Sequence, residues 1–191
     1  MIDKNFIFLA VTLNLSGVAV YALETLRGRT IPNRVTWFLW ALAPMVAFVI
    51  QIDEGVGLAS LMTFAVGFGP AMVFAASFVN PKARWEINAW DYACGGLSLF
   101  ALAAWLGAHS GAWGVALSIA SDALAAIPTA RKAISHPETE SPWVFFGGAA
   151  SAVITLLTLE HFGIVDAGFA LYILVLCSFL ALTIVLGQRR T

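Results

Sequence analysis

The sequence predicts an all-α membrane protein of seven transmembrane helices, and two observations carry that prediction. The first is composition: the 191 residues are 60% hydrophobic and 11% charged, and the mean hydropathy is +0.87. A soluble domain carries about 25% charged residues, so this chain has too few charges to cover a globular surface. The second is charge placement, because nine of the ten Lys and Arg residues fall in alternate gaps between long apolar stretches.

Seven apolar stretches are close to the roughly 20 residues that a helix needs to cross a bilayer. Helices are expected rather than strands, because lipid cannot hydrogen-bond an open backbone. The predicted spans are residues 6–26, 36–52, 56–79, 89–108, 112–130, 142–159 and 167–187. They use almost the whole chain, so residues 1–191 are predicted to form a single polytopic membrane domain.

Charged residues bound each span and give it a direction. In chain order the spans are followed by Arg27, Arg29 and Arg34; by Asp53 and Glu54; by Lys82 and Arg84; by His109; by Arg131 and Lys132; by Glu160, His161 and Asp166; and by Arg189 and Arg190. Basic residues near span ends are retained in the cytoplasm. The prediction is a multi-pass protein of the cell (inner or plasma) membrane, with its N-terminus outside and its C-terminus inside.

Two segments of the chain, residues 21–40 and 128–146, repeat one pattern. Each has two basic residues just past a span, then a loop proline, then a Trp that opens the next span (Arg27, Arg29, Pro32 and Trp37; Arg131, Lys132, Pro137 and Trp143). Both segments run in the same direction across the membrane. They therefore predict two parallel three-helix repeats, residues 6–79 and 112–187, joined by a linker helix at 89–108 (a 3+1+3 plan).

This plan, its sidedness and the segment from Asp122 to Ser141 resemble the PQ-loop and SWEET superfamily of membrane proteins. In that family a proline in the first helix of each repeat precedes a basic stretch and a cytoplasmic loop, and Pro128 matches that position. The family's Pro-Gln pair stands here as Pro128-Thr129 in the second repeat. The resemblance implies transport of a small polar solute by alternating access between the repeats.

Asp122 is the most informative polar residue within a span. It lies nine residues before Arg131, about 13 Å along a helix, and an ionisable group at that depth is costly and indicates function. Asn14 and Ser16 occupy a similar depth in the first span. With Trp40 as an aromatic wall, these residues are predicted to bind substrate near the midplane, between the repeats. Proton uptake by Asp122 would couple transport to a proton.

Two further sets of residues are candidates for conformational roles. Pro128 and Pro44 lie within spans and are predicted hinges, because proline removes a backbone donor and kinks a helix. A cytoplasmic gate of salt bridges is predicted from four charged residues, Arg27, Arg131, Glu138 and Glu140, with Arg29 and Lys132 as further basic residues beside them. A purely structural role stays open for these residues, since polar side chains also join membrane helices by hydrogen bonds and many prolines only kink a helix.

Other function classes stay open beside transport. The alternative is a non-transporting receptor or scaffold on the same fold that binds a peptide or a lipid. A membrane enzyme is disfavoured because no span pairs an acid with a base. No cofactor and no metal site are predicted, since the histidines make no metal spacing, and a net charge of -1 gives no reason to expect nucleic acid. The expected partners are the lipid bilayer and a small polar solute, with a homo-oligomer left open.

Overall fold

The computed structural model describes residues 2–82, 85–104 and 110–190. This part of the chain contains no strand and forms seven α-helices: α1 (Ile7–Leu26), α2 (Arg34–Asp53), α3 (Ser60–Ala76), α4 (Ala89–Ala104), α5 (Gly111–Ser135), α6 (Trp143–Thr158) and α7 (Ile164–Gln188). Five of them, α1, α2, α3 with its preceding 3-10 turn, α5 and α7, are long and apolar enough to cross a membrane. The chain is therefore built as a multi-pass membrane protein.

The helices follow the predicted spans to within four residues in the described part of the chain, except at the end of α5. Helix α5 continues to Ser135, so Arg131 and Lys132 lie on its last turns and not in a loop. Cations are favourable there because the helix dipole is negative at its C-terminus. Helix α6 has 16 residues, about 24 Å, which is shorter than a full span. Arg84 and the predicted end of the linker helix, residues 105–108, lie outside the described residues.

Polar side chains set where two of the helices begin. Asn33 caps α2, because its Oδ1 accepts from the backbone N–H groups of Val35 and Thr36 at 3.0 and 3.4 Å. Its Nδ2 also donates to Asp91 Oδ1 at 3.0 Å. Ser110 caps α5 in the same way, accepting from the Trp113 N–H. Asn33 therefore fixes the start of α2 and joins it to α4.

The segments that carry the basic residues meet at one end of the bundle. Asn80 Nδ2, between α3 and α4, donates to the backbone oxygen of Leu26 at the end of α1 at 2.8 Å. Lys132 Nζ, near the end of α5, donates to Ile31 O in the α1–α2 segment. Gln188 Nε2, at the end of α7, donates to Pro137 O in the α5–α6 segment at 3.0 Å. We call this end the basic end. At the opposite end Gln51 Nε2 donates to Val165 O at 2.9 Å, which joins α2 to α7.

The helices pack as two groups and one further helix. In the first group α3 contacts both α1 and α2, and in the second α7 contacts both α5 and α6. The groups meet where α1 packs on α6 and where α2 packs on α5. Helix α4 lies mainly against α5 and touches α2 less extensively.

Glycines allow α1 and α6 to approach closely. A Cβ atom on Gly147 would lie 2.7 Å from the backbone oxygen of Leu13, and one on Gly17 would lie 2.7 Å from that of Trp143. Real Cβ atoms do not come so near a carbonyl oxygen. Gly17 and Gly147 therefore allow the backbones of α1 and α6 to lie in direct contact.

A Gly147→Ala substitution is expected to lower stability by about 1–3 kcal/mol, because the added methyl group must push two helix backbones apart. Thermal unfolding of the purified protein in detergent micelles would measure the loss. Gly96→Ala is the matched control, since a Cβ there meets nothing within 4 Å and alanine favours a helix over glycine. Equal unfolding midpoints for the two variants would contradict the prediction.

Candidate functional site

A cavity of about 50 Å³ lies where the two helix groups meet. Its lining is mostly apolar, and its polar and aromatic members are Asn14, Trp37, Trp40, Asp122, Phe145 and Cys177. Lining residues come from two apolar clusters, one containing Val18 and Val144 and the other containing Val66 and Ile173. The cavity therefore lies between these clusters, with packed side chains on both sides of it.

Asp122 on α5 is the ionisable centre of this cavity. It is 1% exposed, and its Oδ2 accepts a hydrogen bond of 2.7 Å from the Tyr172 hydroxyl of α7. Its other oxygen, Oδ1, is buried and has no hydrogen-bond partner among the described residues. A buried acceptor without a partner is costly, so Oδ1 is available to a donor that enters the cavity.

Asn14 contributes a second acceptor from the other helix group. It lies on α1, lines the cavity and is buried, and its Oδ1 has no hydrogen-bond partner in the described part of the chain. Ser16 does not join it. Its side chain is exposed and its hydroxyl donates to the Thr12 carbonyl at 2.7 Å. The structure therefore removes Ser16 from the predicted site.

Aromatic rings extend from the cavity toward the basic end. Trp40 lies T-shaped against Phe145 at 6.2 Å and against Trp37 at 5.4 Å, and Trp37 in turn lies 4.6 Å from the Tyr21 ring. Trp40 also donates from Nε1 to the backbone oxygen of Asp122 at 3.2 Å. It therefore forms the predicted wall and fixes the helix turn that carries Asp122.

A buried ion pair lies at the basic end of this aromatic series. Lys132 Nζ is 2.7 Å from Glu140 Oε1, and both side chains are at most 1% exposed. The other carboxylate oxygen, Oε2, accepts from the Tyr21 hydroxyl at 2.6 Å, and Lys132 also donates to the backbone oxygen of Ile31. The pair thus ties α5 and the α5–α6 loop to α1 and the α1–α2 loop.

The predicted gate needs correction at three of its four residues. Glu140 is in an ion pair as expected, and its partner is Lys132, one of the further basic residues named for the gate. Arg27 and Glu138 are exposed, and Arg131 is also exposed, with its guanidinium 5.5 Å from the Trp90 ring. None of these three forms a salt bridge within the described residues. Arg27 follows the end of α1, Arg131 lies on the exposed face of α5, and Glu138 lies in the α5–α6 loop.

The two predicted hinge prolines lie inside continuous helices. Pro44 is buried in α2 and Pro128 is buried in α5, and neither helix is interrupted. Pro70 is similarly placed in α3 and lines the cavity. A hinge role for Pro44 and Pro128 stays a prediction.

Two residues that the sequence did not single out complete the site. Tyr172 and Cys177 both lie on α7; Tyr172 is hydrogen-bonded to Asp122, and Cys177 lies on the cavity lining.

Comparison of the chain with protein-family models, with curated proteins and with solved structures finds no match. No cluster of His, Cys, Asp and Glu suited to a metal ion occurs in the described part of the chain. The candidate site is therefore defined by its own geometry: a small cavity with two acceptors, Asn14 Oδ1 and Asp122 Oδ1, and one donor, Trp37 Nε1, that have no partner among the described residues.

Proposed function

We propose that this protein carries a small polar solute across the cell membrane by alternating access between two three-helix repeats, with its basic end in the cytoplasm. The observation that carries the proposal is the cavity at the junction of the two helix groups. Each group supplies it with one buried acceptor that has no partner in the described residues, Asn14 from α1 and Asp122 from α5.

The helix contacts support a structural repeat in which α5–α7 correspond to α1–α3. In this correspondence α1 matches α5, α2 matches α6 and α3 matches α7. The contact of α1 with α6 then becomes the contact of α5 with α2, and both contacts occur. The pairs of α3 with α1 and α2 become those of α7 with α5 and α6, which also occur. Helix α4 remains outside this correspondence, as a linker would.

The chemistry of the cavity favours a solute that donates hydrogen bonds. Two of its three buried polar atoms without a partner in the described residues are acceptors, Asn14 Oδ1 and Asp122 Oδ1, and the third is the donor Trp37 Nε1. A donor that enters would recover the cost of two buried acceptors without partners. A neutral or cationic solute is therefore favoured over an anion.

The size of the cavity supports a closed conformation. Ligand pockets measure about 300–1,000 Å³, whereas this cavity measures about 50 Å³, room for roughly three water molecules. At the basic end Tyr21 and the backbone of Ile31, both from the first group, bind the Lys132–Glu140 pair of the second group. Entry of a solute from the cytoplasm therefore requires these groups to separate there, which is the motion that alternating access needs.

A thermal-shift screen followed by transport assays tests the proposal. The purified protein is screened across pH against sugars, amino acids, vitamins and nucleosides, and each solute that stabilises it is tested for uptake into reconstituted vesicles. We expect at least one solute to stabilise the protein and to be taken up. A solute that binds but is never taken up would favour a receptor.

Two variants of α1 show whether binding occurs at the cavity. Asn14→Ala is expected to reduce the solute-induced shift, because it removes a cavity acceptor. Ser16→Ala should keep the full shift, since Ser16 is exposed on the same helix. A shift of equal size in both variants would place the binding site elsewhere and contradict the assignment of the cavity.

A further inference from the structure

A second cavity lies on the outside of the bundle, between α4 and the pair formed by α2 and α3. It is an apolar groove of about 520 Å³. Exposed aromatic and aliphatic side chains form much of its wall: Phe38, Phe78, Ile87, Tyr92 and Leu99. A groove with such a rim opens toward lipid in a membrane protein.

Two adjacent glycines shape the α4 side of the groove. At Gly95 an added Cβ would lie 2.8 Å from Val35, so this residue brings α4 close to α2. At Gly96 an added Cβ would meet nothing within 4 Å, so this residue leaves the groove open. The groove begins near Tyr92 and reaches Leu99, seven residues along α4, or about 10 Å of helix. Its length therefore follows the direction of a lipid chain.

Arg34 is the charged residue of the groove and lies at its basic end. It is half-buried, and its guanidinium lies 4.2 Å from the centre of the Phe78 ring. It donates from Nε to Ser77 Oγ at 3.0 Å and from Nη2 to the Ser77 backbone oxygen. These bonds use two of the five N–H donors that a guanidinium carries. The described lining contains no carboxylate to compete for the others.

We propose that this groove binds one anionic phospholipid, with an acyl chain along α4 and the phosphate on Arg34. Charge complementarity selects the occupant, because the groove combines an apolar length with one cation at the interface. A guanidinium fits a phosphate through paired N–H donors, and basic pockets on the cytoplasmic side of membrane helices bind anionic headgroups. The lipid would add to the packing of α4, which contacts α2 less extensively than it contacts α5. The proposal is independent of transport.

Lipid titration of the delipidated protein, followed by native mass spectrometry, tests this site. The probes are phosphatidylglycerol, phosphatidylcholine and inorganic phosphate, added in a neutral detergent. One phosphatidylglycerol is expected to bind about fivefold more tightly than phosphatidylcholine, the effect of one basic residue near a membrane surface. Inorganic phosphate should not displace it. Equal affinity for the two lipids, or displacement by phosphate alone, would overturn the proposal.

Three variants test the headgroup contact, the acyl-chain contact and a control position separately. Arg34→Gln is expected to remove the preference for phosphatidylglycerol and to leave the affinity for phosphatidylcholine unchanged. Gly96→Leu should weaken both lipids, because a Cβ at this position meets nothing within 4 Å and the larger side chain would occupy space in the groove. Ala103→Leu adds the same bulk to an exposed position on α4 outside the groove and should change neither. Full binding by Gly96→Leu would show that the lipid lies elsewhere, even if Arg34→Gln failed to fold.

Discussion

Replacing Lys132 with Met is expected to destabilise the protein by about 3–5 kcal/mol, because it leaves Glu140 as a buried charge without its cation. Both side chains of the pair are at most 1% exposed, so water cannot replace the lost partner. Glu140→Met should cost a similar amount by leaving Lys132 unpaired. Denaturant or thermal unfolding in micelles would measure both effects.

The double variant Lys132→Met/Glu140→Met separates the charge from the packing. Apolar replacement of an entire buried ion pair is often neutral or stabilising, so the double variant should recover most of the stability lost in either single variant. Arg131→Met is the matched control on the same helix turn. Its side chain is exposed, and the expected change is within about 0.5 kcal/mol. A large loss in Arg131→Met, or additive losses in the double variant, would contradict the assignment.

The same variants test whether the pair closes the basic end. Cys177 lines the central cavity and Cys94 is buried on α4, so a Cys94→Ser background leaves one thiol that reports on access to the site. Maleimide labelling of Cys177 from the basic end is expected to be faster in the double variant than in the parent. Unchanged labelling would show that the ion pair stabilises the fold without closing the cavity.

Helical periodicity explains why Asn14 lines the cavity and Ser16 does not. On α1 the buried positions include Ala10, Asn14, Val18 and Tyr21, spaced as one face of a helix. Ser16 is two residues from Asn14, about 200° around the axis, and therefore faces away. Similar depth in the membrane did not bring both residues to the cavity, because residues of one site must also lie on the same face of the helix.

The same reasoning separates Lys132 from Arg131. The buried residues of α5 include Asp122, Ala125, Thr129 and Lys132, which follow the i, i+3, i+4 spacing of one helix face. Arg131 lies outside that series. The sequence therefore contained the signal that Lys132 shares the face of Asp122, provided that α5 is recognised as continuing beyond residue 130.

Contacts between distant elements were not available from the sequence. The bond from Tyr172 to Asp122 depends on how α7 packs on α5, and 50 residues separate the partners. The bond from Tyr21 to Glu140 spans 119 residues and depends on a short 3-10 turn in a loop. Charge patterning and apolar length predicted the helices and the basic end, but side-chain partners across helices require the packed structure.

An Asp122→Asn variant is expected to keep the fold and to lose the pH dependence of transport. The amide has nearly the same shape as the carboxyl group, and its oxygen still accepts from the Tyr172 hydroxyl, so the α5–α7 contact is preserved. What disappears is the carboxyl group that is proposed to exchange a proton in the cavity. Uptake by reconstituted vesicles, measured across pH for both proteins, checks the result.

Solute binding by Asp122→Asn is also expected to weaken, by about ten- to a hundredfold. A hydrogen bond to a charged group contributes about 1.5–3 kcal/mol, and each 1.4 kcal/mol corresponds to tenfold in affinity. Tyr172→Phe is the control, because it removes the neighbouring hydroxyl and leaves the carboxyl group in place; it should keep a pH response. An identical pH response in wild type and Asp122→Asn would exclude Asp122 as the proton-coupling group. Loss of the response in Tyr172→Phe alone would transfer that role to the tyrosine, and the carboxyl group would then serve only to hold α5 against α7.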